Sequence, residues 1–109
     1  MASTLEVLAE PKRRRILDVL LSGERPVGDL VEETALSQPS VSKHLRVLRE
    51  AGLVEVRSEA QRRIYRVRPK PLREVDEWLA PYRRLWASSL DALEEHLGAM
   101  PDDDPHERR

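Results

Sequence analysis

The chain has 109 residues, of which 39% are hydrophobic and 36% charged, and it contains neither Phe nor Cys. This length supports one domain with a modest core, and the lack of cysteine excludes disulfides, thiolate metal sites and cysteine nucleophiles. No stretch approaches the length of a membrane span and no secretory leader is recognisable, so we expect a cytoplasmic protein with no membrane contact.

The formal net charge of −1 conceals a strong polarity along the sequence. Residues 37–68 carry eight Lys and Arg against three Asp and Glu, whereas 1–36 carry five against seven and 69–109 carry six against ten. A basic surface on one face is enough to attract phosphate groups, so the middle third is the predicted nucleic-acid contact region. The run KRRR at 12–15 is weaker evidence, because a solvated or ion-paired cluster explains it equally well.

The first part of the chain predicts three short helices. Leu5 and Leu8 suggest a first helix, Pro11 suits the opening position of a second that ends at Gly23, and Pro26 opens a third. The core candidates of the second helix are Ile16, Leu17, Val19, Leu20 and Leu21.

Residues 37–53, SQPSVSKHLRVLREAGL, predict the recognition helix of a helix-turn-helix. Val41, Leu45 and Leu48 recur at i, i+4 and i+7 and form one buried stripe, with Ser37 as N-cap and Gly52 where the helix is expected to stop. An ordinary amphipathic helix with a solvated polar face is the alternative. The side chains that we expect to meet base edges and phosphates are Gln38, Ser40, Ser42, Lys43 and Arg46.

Residues 54–68 alternate apolar and charged side chains and predict a two-stranded hairpin, the wing. Its tip, SEAQ at 58–61, lacks the glycine that a tight turn prefers, so we expect a longer or looser loop. Arg62 and Arg63 follow the tip and are predicted to contact phosphates or a narrowed minor groove. Alternatively, they are edge charges that discourage strand pairing.

The last predicted element is a long helix from about 72 to 97, with apolar or aromatic residues every three or four positions. Pro81 is expected to kink or divide it. So small a core cannot cover this face, which predicts a protein interface. Trp78, Tyr82 and Trp86 either belong to that interface or line a ligand site there. We assign 1–98 to a DNA-binding and dimerisation domain and 99–109 to a flexible acidic tail.

Three motifs occur together: LAEPKRRRILDVLL, VGDLVEETALSQPSVSKHLRVLREAGLVEVR and RRIYRV. With them the chain, over roughly 5–97, resembles the ArsR (ArsR/SmtB) family of bacterial transcription regulators. The resemblance implies a mainly α winged helix-turn-helix with a small β-hairpin, in the order α-α-α-α-β-β-α. It also implies a homodimeric repressor that binds a palindromic operator in double-stranded DNA, with the fourth helix in the major groove and the first and last helices forming the dimer. The dimer residues so implied are Leu5, Leu8, Leu79, Tyr82, Trp86, Leu90, Leu93 and Leu97.

The chain departs from the family pattern at the metal sites. Metal-sensing members use a cysteine pair in the third helix or His and carboxylate ligands in the last helix. Here the third helix, VGDLVEETA, has neither Cys nor His. In the last helix, Asp91, Glu94, Glu95 and His96 are better interpreted as surface charges. We therefore expect no metal and no cofactor, and a release signal other than a cysteine-bound metal; the identity of any small-molecule inducer is left open.

No sequence motif indicates an enzyme: there is no Gly-rich phosphate loop, no HExxH and no GxSxG. Two alternative functions remain, a MarR-like regulator that responds to a small molecule and a winged helix that binds protein. MarR-like proteins usually have longer chains with extra dimer helices. A protein-binding winged helix would typically present an apolar or acidic recognition face, whereas this one presents Gln, Ser, Lys and Arg.

Overall fold

The computed structural model describes residues 3–99, which form five helices and three strands. The helices are α1 (Thr4–Leu8), α2 (Pro11–Leu21), α3 (Val27–Thr34), α4 (Gln38–Glu50) and α5 (Pro69–Ala99), and the strands are β1 (Arg25–Pro26), β2 (Val54–Glu59) and β3 (Arg62–Val67). The winged helix-turn-helix fold class is confirmed. The chain divides into two compact units, Met1–Val75 and Asp76–Arg109. Apart from Ala99, the predicted acidic tail lies outside the described residues.

One strand, β1, is absent from the sequence prediction. It pairs antiparallel with β3, with Arg25 opposite Tyr65 and Pro26 opposite Ile64, and the sheet order is β1-β3-β2. Pro26 therefore ends this strand and caps α3 instead of opening the helix. A two-residue strand is too short to show an alternating pattern, so only its pairing with β3 reveals it.

The apolar core of the first unit draws residues from α1 to α4 and from the hairpin. Helix α1 contributes Val7, while Leu5 is half exposed and Leu8 packs only partly against the core. Leu21, a core candidate by sequence, is 81% exposed because each helical residue turns about 100° and Leu20 already faces inward. The core residues are Val7, Ile16, Leu17, Leu20, Leu30, Val41, Leu45, Leu48, Leu53, Val54 and Tyr65.

Helix α4 begins and ends where the sequence predicts. The Ser37 hydroxyl accepts a hydrogen bond of 3.2 Å from the N–H of the third residue after it. At the other end, Gly52 adopts a φ of 75°, and the Leu53 N–H donates to the Leu48 carbonyl at 2.9 Å. This is a Schellman motif, in which the two buried leucines also lie at the positions that usually make its apolar contact. The motif ends the helix and leads the chain directly into β2.

The hairpin turn is tighter than the sequence predicts. Strands β2 and β3 stay paired as far as Glu59 opposite Arg62, which leaves only Ala60 and Gln61 in the turn. Ala60 has a φ of 55°, a conformation that glycine adopts more easily. The expectation of a longer loop is wrong, because continued strand pairing outweighs a backbone cost of about 1 kcal/mol at one residue.

Helix α5 is continuous from Pro69 to Ala99 and is not divided at Pro81, which lies inside it. Proline has no N–H, so the carbonyl four residues earlier lacks its usual helical donor. Asp76 is the residue that precedes this carbonyl in the chain. The Arg83 guanidinium donates to the Asp76 backbone carbonyl at 2.9 Å and to the Asp76 carboxylate at 2.6 Å. None of the helices within 3–99 combines the length and the apolar character needed to cross a membrane.

Candidate nucleic-acid interface

An open groove of about 730 Å³ lies between α4 and the hairpin of β2 and β3. Five of the seven residues predicted to contact DNA line it: Gln38, Ser42, Arg46, Arg62 and Arg63. The other two lie outside the lining; Lys43 is exposed and Ser40 is partly buried. The fold therefore brings the recognition helix and the wing together on one concave surface.

The α4 side of the groove is a single helical face. Gln38, Ser42 and Arg46 are spaced by four residues, and Arg49 continues the row with a spacing of three. Arg49 and Gln61 line the groove although neither was among the predicted contacts. The spacing of four, four and three residues was available in the sequence as a signal for Arg49. Gln61 lies in the tight two-residue turn, which the sequence did not predict.

The groove is strongly cationic, because its lining has four arginines and one carboxylate, that of Glu50. The guanidinium of Arg63 lies 5.9 Å from the centroid of the Tyr65 ring, within the range of a cation–π contact. Since Tyr65 is buried, its ring gives that arginine a fixed support. Guanidinium groups favour phosphate oxygens and the major-groove edge of guanine. The arginines are Arg46, Arg49, Arg62 and Arg63.

Buried hydrogen bonds hold the turn between α3 and α4. The Thr34 hydroxyl donates to the Leu30 carbonyl at 2.5 Å and accepts from the Leu36 N–H at 3.3 Å. Arg15 donates to the Thr34 carbonyl from helix α2. Ala35 takes a left-handed conformation with a φ of 60° and caps α3. These contacts set the angle between the two helices and so the orientation of α4.

Two arginines of the basic run at 12–15 bond backbone carbonyls of neighbouring elements. Besides the bond from Arg15, Arg14 donates to the Leu8 carbonyl at 2.6 Å and thereby joins α1 to α2. Arg13 Nε is buried and has no hydrogen-bond partner among residues 3–99. Two arginines of this run therefore have backbone contacts that the sequence did not predict.

His44 is a buried polar residue on α4. Its Nδ1 finds no hydrogen-bond partner within the described chain. Burial lowers the pKa of His44, the charge of Arg13 lowers it further, and Glu10 opposes both effects. The imidazole is therefore neutral near pH 7.

Two ion pairs of Arg57 hold the wing in place. Arg57 on β2 bonds the carboxylates of Glu24 at 2.5 Å and Glu59 at 2.7 Å. The bond from Arg57 lowers the pKa of Glu24, so this carboxylate stays charged. Glu24 immediately precedes β1, and the pair therefore connects the hairpin to the segment that follows α2.

In the second unit, α5 exposes a row of large apolar side chains. Their exposed fractions run from 45% to 61%, and the rings of Trp78 and Tyr82 contact each other with centroids 5.2 Å apart. Of the other implied dimer residues on this helix, Leu79 and Leu97 are partly buried. The exposed residues are Trp78, Tyr82, Leu85, Trp86, Leu90 and Leu93.

The acidic and histidine side chains of α5 do not converge. Among residues 3–99, no group of three or more His, Asp or Glu side chains is placed to hold a metal ion. The α5 residues Asp91, Glu94, Glu95 and His96 therefore do not form such a group.

Several known proteins are similar to this chain in sequence. The model of the arsR family of bacterial regulatory proteins matches residues 10–56. The transcriptional repressor SdpR of Bacillus subtilis is 30% identical over 79 residues, which cover 72% of this chain and 88% of SdpR. An HTH-type transcriptional regulator of Mycobacterium tuberculosis is 34% identical over 98 residues, 90% of this chain and 89% of that protein. This chain belongs to the ArsR family.

Solved structures agree with that assignment. The homodimeric winged helix-turn-helix DNA-binding domain of a possible ArsR-family regulator from Mycobacterium bovis is 31% identical, with a TM-score of 0.56 over 90% of this chain and 82% of that one. The ArsR-family protein described here is accordingly a DNA-binding transcriptional regulator, and the family and the relatives named above are transcriptional regulators. The MarR-like and protein-binding alternatives are not favoured by these matches.

Proposed function

We propose that this ArsR-family protein is a homodimeric repressor that binds a palindromic operator. The observation that carries the proposal is the groove between α4 and the wing, with its four arginines. Helix α4 has 13 residues, which gives it a length of about 20 Å, and the B-DNA major groove, about 12 Å wide, accepts such a helix. In each subunit, α4 would thus contact the bases of one half-site, and the wing would contact the adjacent DNA backbone.

The seven predicted contact residues divide by chemistry. Gln38, Ser40 and Ser42 can donate to and accept from base edges, whereas Lys43 and Arg46 suit guanine or phosphate. Arg62 and Arg63 at the wing suit phosphates or a narrow minor groove. All of these residues except Ser40 and Lys43 line one concave surface, which supports their roles.

The exposed face of α5 supports a dimer, since side chains such as Trp86 and Leu90 remain more than half exposed in the single chain. A two-fold dimer would present two α4 helices about 34–36 Å apart, the spacing of successive major grooves. The homodimeric state of the Mycobacterium bovis relative is consistent with this arrangement. The proposed interface residues are Leu5, Leu8, Leu79, Tyr82, Trp86, Leu90, Leu93 and Leu97.

We further propose that the repressor acts in the cytoplasm and is released by a small-molecule signal. A cysteine-bound metal is excluded as that signal because the chain has no cysteine. The aromatic side chains of α5 are assigned to the interface and not to the inducer site, because they continue one apolar row along the helix.

The test is binding to DNA upstream of the protein's own gene, with a random duplex of equal length as control. Footprinting should locate a palindrome, and the logarithm of the binding constant should fall with the logarithm of salt concentration by about 0.9 per phosphate contact. An Arg46→Gln variant should weaken binding, while Arg84→Gln, an exposed change of equal charge on α5, should not. Equal affinity for the palindrome and the random duplex would contradict the proposal.

A further inference from the structure

A second cationic hollow, of about 470 Å³, lies where β3 leads into α5, inside the first unit. Its four cations, Arg66, Arg68, Lys70 and Arg73, are termed the β3–α5 patch. All four are exposed or partly exposed at the surface, and the hollow shares no lining residue with the groove beside α4. The DNA contacts proposed above make no use of this surface.

The patch keeps most of its positive charge. Glu55 is the one carboxylate in its lining, and it bonds Arg66 Nε and approaches Arg68 Nε at 3.8 Å. Each guanidinium thus uses its Nε toward Glu55, which leaves its Nη groups for another acceptor. Within residues 3–99, Lys70 and Arg73 form no ion pair. Glu55 therefore orients two arginines and neutralises one of four charges.

The position of the patch connects it with the wing. Arg62, Arg66 and Arg68 lie an even number of positions apart along β3 and the residue that continues it, so their side chains share one face of the strand, with the buried Ile64 between the first two. The distance from the first to the last is about 20 Å at about 3.3 Å per residue, close to the rise of six base pairs. Cations therefore lie at both ends of this strand face, at the wing tip and at the start of α5.

The chemistry of the patch favours a polyanion over a protein partner. Protein interfaces centre on buried aromatic or large apolar anchors, and the apolar lining here is limited to Val67 and Pro69. Arginine with lysine on an open surface is the usual means of binding phosphates of a nucleic-acid backbone. We propose that the β3–α5 patch binds phosphates of the operator DNA beyond the half-site that α4 reads. This inference rests on the proposed function.

The experiment compares two duplexes, one trimmed to the footprint of α4 and the wing tip and one extended by a full helical turn at each end. Arg73→Gln and Lys70→Gln are measured with Arg84→Gln as the matched control. We expect each patch variant to bind the extended duplex several-fold more weakly, and its salt slope to be smaller by about 0.9 for each phosphate that the variant no longer binds. Binding to the trimmed duplex should match that of the unmodified protein.

Other results overturn the inference. If both patch variants bind the extended duplex normally, the surface serves another partner, an acidic protein included. If they bind both duplexes more weakly to the same degree, they act through the fold or the core operator. Weaker binding of inorganic phosphate together with normal binding of the extended duplex would indicate a site for small anions instead. If the unmodified protein fails to distinguish operator from random DNA on either duplex, the proposed function itself fails.

Discussion

Replacing Trp86 with alanine tests the proposed dimer most directly. Trp86 lies on α5 and is 53% exposed in the single chain. A tryptophan offers at most about 250 Å², so about 130 Å² is left for a partner to cover. At about 25 cal/mol per Å², covering that area contributes about 3 kcal/mol.

Because alanine still covers part of this area, we take the loss as about 2 kcal/mol per subunit. A two-fold interface contains two copies of Trp86, so the dimer loses about 4 kcal/mol and its dissociation constant rises about a thousandfold. Operator affinity should fall in parallel, since separated subunits no longer hold two α4 helices at the half-site spacing. At high protein concentration the operator affinity should recover.

Sedimentation equilibrium across a concentration series measures the dissociation constant. The matched control is Leu21→Ala, which removes an apolar side chain that is 81% exposed on α2, outside the proposed interface. This control should dimerise like the unmodified protein. If Trp86→Ala also dimerises normally, Trp86 lies outside the interface, and the aromatic side chains of α5 return as candidates for an inducer site.

Three further predictions concern specificity, the wing and pH. Lys43→Ala should relax sequence preference at one position and cost about 1–3 kcal/mol, whereas Arg63→Ala should weaken all duplexes alike if Arg63 meets phosphate; binding to a half-site library separates the two. Ala60→Gly should raise the free energy of unfolding by up to about 1 kcal/mol in denaturant titrations, because glycine relieves the positive φ; a loss of stability would contradict that reasoning. The folded-state pKa of His44 is lowered, so its stabilising contribution is present above the unfolded pKa of about 6.5 and is lost as pH falls through the folded value. Denaturant titrations between pH 7 and 5 should show this loss, reduced in His44→Gln.

Several features of the fold follow from local sequence alone. Ser37 and Gly52 delimit α4 because a hydroxyl cap and a positive φ act on the adjacent turn of the helix. The stripe of Val41, Leu45 and Leu48 is buried as its spacing predicts. The alternation of residues in 54–68 predicts the hairpin. The positive charge of 37–68 indicates which part of the chain forms the cationic surface. The caps, the stripe and the alternation each depend on interactions between residues close together in the chain.

The remaining features needed the tertiary structure. Strand β1 exists only through pairing with β3, and the turn at Ala60 tightens because the strands on both sides continue to pair. Arg15 bonds the carbonyl of Thr34, which lies 19 positions away in sequence. Arg49 and Gln61 line one groove because α4 and the wing come together across the core. A contact between distant segments depends on how the segments pack, whereas caps and periodicity are properties of neighbouring residues. Local sequence therefore determined the helices and the hairpin, and packing determined strand β1 and which side chains come together.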